Sequence, residues 1–436
     1  MGKNNWINEW PSNWELVRFR SAYRFSRGLD IKKQDLGDHG MPVISYGQIH
    51  AKDNPGVRVL PAHVRLIPDE FVKLGQVERA HLSEGDIVFA DTSEDIEGSG
   101  NMVRVSASDD LFAGYHTLIA RPTEEFRHEY MAYQMISPSW RRQVQRAVQG
   151  VKVYSITQGI FNEITLLKPP IIEQQAIAGF LSVRTAEIDR LVEKLQREVQ
   201  LLERYRRELI AHTVTRGLNP DVPMQDSRID WIGVGPVAWT PVSAKAIFMR
   251  RTEFERAGDV HLTPSQMFGV LPQEEFIAVS GVKPTLKFSD SVKMKHVEPG
   301  DFIIHLRSFQ GGLEYSEYQG KVSAAYTVIT PRNDQLVDRS FFRWLFKSTA
   351  FIKNLSSMTN QLRDGQSINF KTFSKTSYLL PSLVEQQEIA AFLNEKTFEI
   401  DSALSGIKRQ TELLRKYRKQ VINDAVTGKV RVGEVA

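Results

Sequence analysis

A chain of 436 residues is longer than one hydrophobic core usually organises, so two or more domains are expected. Hydrophobic residues make up 41% and charged residues 25%, which excludes wholesale disorder, and a net charge of +4 permits nucleic acid without demanding it. The chain has no cysteine, which excludes disulfides and thiolate metal sites. That suits a reducing cytoplasm. No signal-like segment opens it, and no stretch approaches the roughly 20 apolar residues of a membrane span, so a cytoplasmic location without membrane contact is expected.

In chain order, residues 1–168 read as a mixed α/β module. It opens on the Trp/Pro-rich WPSNWELVRF (10–19) and continues through HLSEGDIVFA (81–90), a Gly-Asp turn leading into an apolar strand. Next come the alternating HTLIARP (116–122), the helical EYMAYQMISPSWRRQVQRAV (129–148) and VYSITQGIFNEITLLKPP (153–170). Residues 169–217 read as one long helix. Residues 218–380 then repeat the layout: WIGVGPVAWTPVSAKAIF, HVEPGDFIIHL, YTVITP, RSFFRWLFKSTAFIKNLS and GQSINFKTFSKTSYLLPS. A second long helix spans 381–428, and 429–436 form a short tail.

The two helices are copies. EQQAIAGFL (173–181) returns as EQQEIAAFL (385–393), 212 residues later, and 20 of the 47 positions from 169 to 215 match without a gap. Leu181, Ile188, Leu195, Leu202 and Leu209 stand seven apart, as do Leu393, Ile400, Ile407, Leu414 and Val421. A heptad seam of this length predicts a coiled coil. Proline at the start and Gly217 or Gly428 at the end mark the boundaries, and Glu173 and Glu385 suit the positive end of the helix dipole. The predicted fold class is α+β: two mixed modules separated by two long helices that pair as an antiparallel coiled coil, giving a pseudo-twofold tandem repeat.

Chemistry-bearing motifs are absent. There is no phosphate-binding G-x-x-x-x-G-K-[ST], no G-x-G-x-x-G, no H-E-x-x-H, no G-x-S-x-G and no Asn-Pro-Pro-aromatic segment. The ten histidines show no ligand spacing, and His116 reads as structural.

Two modules, each followed by a helix opening P-x-x-x-EQQ-x-IA-x-FL and continuing T-x-EID, resemble the specificity (HsdS-type) subunit of type I restriction–modification systems. The likeness covers essentially the whole chain. It implies that residues 1–168 and 218–380 are target recognition domains, each binding one half of a split DNA sequence. It implies a non-catalytic subunit whose helices dock two methyltransferase subunits, with restriction motor-nuclease subunits joining the full assembly. S-adenosylmethionine, ATP and Mg are then expected on partner subunits, with no cofactor on this chain. Because the modules differ, the double-stranded DNA target should be asymmetric, with a spacer set by helix length. A self-contained DNA-modifying enzyme and a coiled-coil assembly protein without a DNA role are the alternatives.

Arg suits guanine and Gln or Asn suits adenine, whereas Lys, Arg and hydroxyls position the phosphate backbone. In the first module the candidates are Tyr46 and Gln48, the loop Asp91–Asn101, and Lys152 and Tyr154; Arg141, Arg142 and Arg146 form a basic helix face for phosphate. In the second they are Arg307, Gln310, Gln361 and Arg363, with Lys371 for phosphate. The triplets Glu173-Gln174-Gln175 and Glu385-Gln386-Gln387 are candidates for partner docking or for a repeated helix–module junction.

Overall fold

The computed structural model describes residues 6–7, 9–107, 109–148, 153–284, 293–358 and 368–432, apart from the side chains of Leu74 and Phe309. Each module is built on a four-stranded antiparallel sheet. In the first module the strand order is Tyr23–Arg27, Thr117–Pro122, Ile87–Ala90, Met102–Arg104. The strand Ile-Val-Phe-Ala (87–90) is buried at every position, so an unbroken apolar run rather than an alternating one specifies it. Phe89 meets Phe161 at 4.8 Å and Trp140 at 6.2 Å between ring centroids, and Phe19 closes the same cluster. In the second module the order is Phe248–Arg250, Thr327–Pro331, Phe302–Ile304, Glu314–Tyr315. Its core packs Phe248, Phe302, Phe346 and Phe373 edge to face.

A pair of helices covers each sheet: His128–Ile136 and Pro138–Ala147 in one module, Arg339–Lys347 and Thr349–Ser357 in the other. One serine breaks each pair. Ser137 Oγ accepts from the Trp140 amide, and Ser348 Oγ from the Phe351 amide, both at 3.3 Å. That satisfies one of the open amides at a new helix start. A two-stranded ribbon closes each module, Glu15–Arg18 with Thr165–Lys168 and Thr240–Ser243 with Ser377–Leu380. It sets the module's first strand beside the start of a long helix.

The long helices run over Ile171–Arg216 and Leu383–Val426. At 46 residues the first is about 69 Å long from the rise per residue. The chain divides into two compact units that cut across its linear order: Met1–Leu195 with Arg409–Ala436, and Gln196–Lys408. Each unit holds one module, the first part of one long helix and the last part of the other. In the first unit Ile177, Ala178 and Leu181 share a core with Ile422, Ala425 and Val426, and Arg418 Nε donates to Asp189 at 2.8 Å. In the second, Ile210 and Val214 share a core with Ile389, Ala390 and Leu393, and Arg206 pairs with Asp401 at 3.3 Å. In both units residue numbers rise along one helix as they fall along the other, so the helices are antiparallel. Of the heptad seam, Leu181, Ile188, Leu393, Ile400 and Ile407 are buried, while Leu195, Leu202 and Leu414 are half-buried.

Candidate nucleic-acid interface

Each long helix starts in a joint made from three distant pieces of chain. In the first unit a turn closed by the Trp14 amide on the Pro11 carbonyl aims the Trp14 indole at Glu173, to which it donates at 2.7 Å. Gly428, at the end of the other long helix, abuts Pro11 with φ of 72°, where an added Cβ would strike the ring. In the second unit the Trp239 amide closes the same turn on Pro236, and its indole donates to both Glu385 oxygens at 3.0 Å. Gly217, with φ of 80°, sits against Trp239 and Glu385. Left-handed backbone at these two positions favours glycine.

The first glutamine of each triplet is a junction residue. Gln174 is 1% exposed; its Nε2 donates to the Pro169 carbonyl at 2.8 Å and its Oε1 accepts from the Arg127 amide at 3.0 Å. Gln386 is fully buried; its Nε2 donates to the Pro381 and Leu336 carbonyls, both at 3.0 Å, and its Oε1 accepts from the Asp338 amide at 2.8 Å. These side chains face their own module, so of the two roles expected for the triplets the junction is the one their geometry serves. Only Gln175 and Gln387 are exposed to an outside partner, and Gln175 also accepts from Arg127 at 3.1 Å.

The candidate reading edge of the first module gathers three separate stretches. The strand Thr92–Ser93 pairs with Tyr154–Ser155, which brings half-buried Tyr154 beside the loop that follows Asp91. The short helix Tyr46–Ile49 stands on the same loop: His50 Nε2 donates to the Thr92 carbonyl at 2.8 Å, and Nδ1 accepts from Asn101 at 3.0 Å. Gln48 caps this helix, its Oε1 accepting from the Ser45 amide at 3.2 Å, which leaves its amide NH2 outside the cap. The Tyr46 ring stands edge-on to His50 and His116. Partial burial, and then the negative charges of Glu94, Asp95 and Asp91 with Tyr115, push the Tyr46 hydroxyl upward, so it remains a hydrogen-bond donor at neutral pH.

Sequence reading does not single out His50, and it reads His116 as structural. His116 has an exposed side chain and a φ of 52°, and its Nδ1 lies 3.2 Å from Asp91. Left-handed backbone at a non-glycine residue costs on the order of 1 kcal/mol, and histidine is among the residues that adopt it more readily. A neighbouring tyrosine is no signal for that conformation.

Arg141 requires a correction. Helical spacing groups it with Arg142 and Arg146 as one phosphate-facing surface. Its guanidinium instead turns under the 94–101 loop, donating to the carbonyls of Glu97 and Ser99 and to Asn101 Oδ1 at 2.8 Å. Burial draws its pKa downward. Arg142 and Arg146, one turn apart, stay exposed; Arg142 donates to Ser139 Oγ at 3.0 Å. Lys152 lies outside the described residues.

In the second module the buried strand Phe302–Ile304 delivers exposed Arg307 and the short helix Ser308–Gly311, which carries exposed Gln310. The His305 amide donates to Ser308 Oγ at 2.9 Å and fixes the turn. The hairpin Leu262–Ser265 with Gly269–Pro272 leans on this loop, Gln266 Nε2 donating to the Arg307 carbonyl at 3.1 Å. Its tip residue Met267 is 82% exposed. Lys371 is exposed on the short helix Phe370–Phe373, capped by Asn369. Gln361 and Arg363 lie outside the described residues. Among the described residues, no cluster of His, Asp or Glu is arranged to hold a metal ion, and no helix is long and apolar enough to cross a membrane.

Comparison with known proteins agrees with this architecture. Residues 254–412 match the family model Methylase_S, the type I restriction modification DNA specificity domain. A Methanocaldococcus jannaschii protein provisionally named the MjaX type I restriction enzyme specificity subunit is 21% identical over 99% of this chain and 96% of its own length. Two solved structures share the fold at 16% identity. The HsdS subunit from Thermoanaerobacter tengcongensis matches 97% of this chain and 99% of that chain with a TM-score of 0.55. A chain from a study of complex assembly and conformational transition of the type I R-M system matches 97% and 100% with a TM-score of 0.67. With its duplicated EQQ helices and two sheet modules, the chain is similar along its whole length to a specificity subunit of a type I restriction–modification system.

Proposed function

We propose that this chain reads a split, asymmetric duplex target through two different modules and presents one docking patch twice. The modules, 1–168 and 218–380, are the target recognition domains; 169–217 and 381–428 are the helices that carry them. Tyr46, Gln48 and Tyr154 read one half-site, and Arg307 and Gln310 read the other. Arg142, Arg146 and Lys371 contact phosphate. S-adenosylmethionine, ATP and Mg belong to partner subunits, and no catalytic step is assigned to this chain.

The observation that carries this reading is that the repeat is kept where the modules join the helices and lost where they face outward. On the helix surface the shift of 212 also relates exposed residues. Leu413 and Tyr417 stand with the Arg184–Glu187 ion pair in the first unit, and Leu201 and Tyr205 with the Lys396–Glu399 pair in the second. Exposed Leu and Tyr beside a fixed ion pair suit a protein partner. Two matching copies suit two molecules of one methyltransferase subunit.

The test is to exchange residues 231–380 for the corresponding segment of a specificity subunit with another target. The product is then assayed with methyltransferase subunit, S-adenosylmethionine and duplex DNA. One half-site should change and the other stay. A change in both, or in neither, overturns the two-reader model, and methylation by this chain alone overturns the non-catalytic assignment.

A further inference from the structure

Two clefts occupy equivalent places in the repeat, one in each unit. The first, about 320 Å³, lies between the module and the last turns of the second long helix, and Lys52, Arg141, Arg418 and Lys419 line it. The second, about 550 Å³, is lined by Arg206, Arg207, Arg343 and Lys347. The shift of 212 carries Arg206-Arg207 onto Arg418-Lys419. The break between the module's two helices forms a wall of both clefts, at Pro138 in one and at Ser348-Thr349 in the other.

Within each basic pair the two residues differ. The first is pinned to a carboxylate on the opposite helix, Arg418 to Asp189 and Arg206 to Asp401. The second, Lys419 or Arg207, is exposed and has no ion-pair partner among the described residues. The one carboxylate lining either cleft is Glu314, buried and bonded by Lys347. Arg343 is likewise paired, with Glu317 at 2.9 Å, so it is the second residue of each basic pair that offers uncompensated positive charge at a concave surface, which suits an anion.

We infer that each cleft seats a backbone phosphate of the bound duplex, through Lys419 in the first unit and Arg207 in the second. Contiguity names the source of the phosphate. The first cleft is walled by His50 and Asn101, which hold the reading loop of the first module. The second is walled by Gln266, Met267 and Gly311, beside Arg307 and Gln310. An anion here is carried by the same DNA whose bases face those loops. Such contacts set position and orientation on the duplex and carry no sequence information. The inference rests on the DNA-reading function proposed above.

The experiment measures binding of target duplex by the full chain, assembled with its methyltransferase subunit, as a function of salt. Arg207→Gln and Lys419→Gln are compared with Arg207→Lys and Lys419→Arg. Each neutral variant should lower the slope of log affinity against log salt by about 0.9 and weaken binding about eightfold at 0.1 M salt, as loss of one phosphate contact requires. The rank order of duplex sequences should hold, and the charge-keeping variants should restore the slope. A neutral methylphosphonate at one position flanking a half-site should weaken the parent complex and not the matching Gln variant. Unchanged slope and affinity in both Gln variants, with normal DNA binding by the parent, overturns the phosphate seats and leaves the reading function standing. Lost co-assembly with the methyltransferase at intact DNA affinity assigns the clefts to a protein partner and also overturns the inference. If the parent complex shows no sequence-dependent binding at all, the reading function fails and the inference falls with it.

Discussion

The two modules share a turn whose chemistry has drifted apart. Each has a glycine at positive φ followed by a buried aspartate, Gly85-Asp86 and Gly300-Asp301. Each aspartate accepts from the amide three residues back, Ser83 or Glu298, at 2.9 Å. In the first module a single Arg121 Nε approaches Asp86 at 3.3 Å, and burial outweighs it, raising the carboxyl's pKa. In the second, Arg251 grips Asp301 with two bonds, at 2.6 and 3.0 Å. That pair opens a wider network: Arg251 with Glu253, Arg256 with Glu298, and His296 with Asp259 and Glu298. The turn geometry is common property, and the second module alone has built it into an ion network. The same backbone can thus hold two interiors of different polarity beneath two different reading edges.

The largest expected effect breaks that contrast. Asp301→Ala leaves half-buried Arg251 with Glu253 alone and strips the Glu298 amide of its acceptor, and should cost about 3–4 kcal/mol in urea unfolding of the second module. Asp86→Ala removes a carboxylate that burial already disfavours, and should cost about 1–2 kcal/mol, mainly through the lost bond to the Ser83 amide. Equal losses would show that the two networks do equivalent work.

The junctions give the next contrast. Gln386 makes three hydrogen bonds and Gln174 two, all to buried or part-buried backbone groups. Gln386→Ala should cost about 2–3 kcal/mol and Gln174→Ala about 1–2 kcal/mol, since each orphaned buried group carries its own desolvation penalty. Neither change should alter which DNA sequence is preferred. Thermal melts resolve the first statement and competition binding the second.

The third effect is a pH dependence confined to the second module. Both ring nitrogens of buried His296 face carboxylates, Asp259 at 2.7 Å and Glu298 at 2.8 Å, and a carboxylate only accepts, so the ring must carry two protons. Burial opposes that charge, but the bonds to Glu298 and Asp259 outweigh it and hold the His296 pKa above 6.5. A group whose folded pKa is raised gives stability fully present below its unfolded value and lost as pH rises through the folded one. The urea midpoint of the second module should therefore fall as pH is raised from about 6 through the folded pKa. His296→Gln should flatten this dependence, and a midpoint that rises with pH in the unmodified protein contradicts the assignment.

These contrasts also show what a sequence can carry. The long helices were legible because a seven-residue seam and a 212-residue shift are periodic, and periodicity survives without knowledge of neighbours. Their ends were legible because proline and glycine constrain the backbone locally. The joint was not: Trp14 and Glu173 are 159 residues apart, Trp239 and Glu385 are 146 apart, and the tryptophans do not fall on one another under the helix shift. Arg141 departs from its expected place for a related reason. Helical spacing groups Arg141, Arg142 and Arg146 by proximity, but only the returning loop at 94–101 decides which of them is taken inside. Arg307 and Gln310 were easier, because an apolar strand ending in a polar, glycine-rich stretch predicts an exposed loop whatever surrounds it.

The smallest effect lies in the helices themselves, where the two copies are most alike. Gly406 stands in the second helix at the place that Lys194 holds in the first. A Cβ added at Gly406 meets nothing within 4 Å, so no packing reason for glycine exists there. Gly406→Ala should stabilise the protein by about 0.5–1 kcal/mol, through helix propensity and the reduced freedom of the unfolded chain. Lys194→Gly should lose a similar amount, because Lys194 is exposed and has no ion-pair partner among the described residues. Paired urea titrations measure both. If Gly406→Ala stabilises the isolated chain but destabilises it when the methyltransferase subunit is present, the open flank of that helix is covered in the assembled complex.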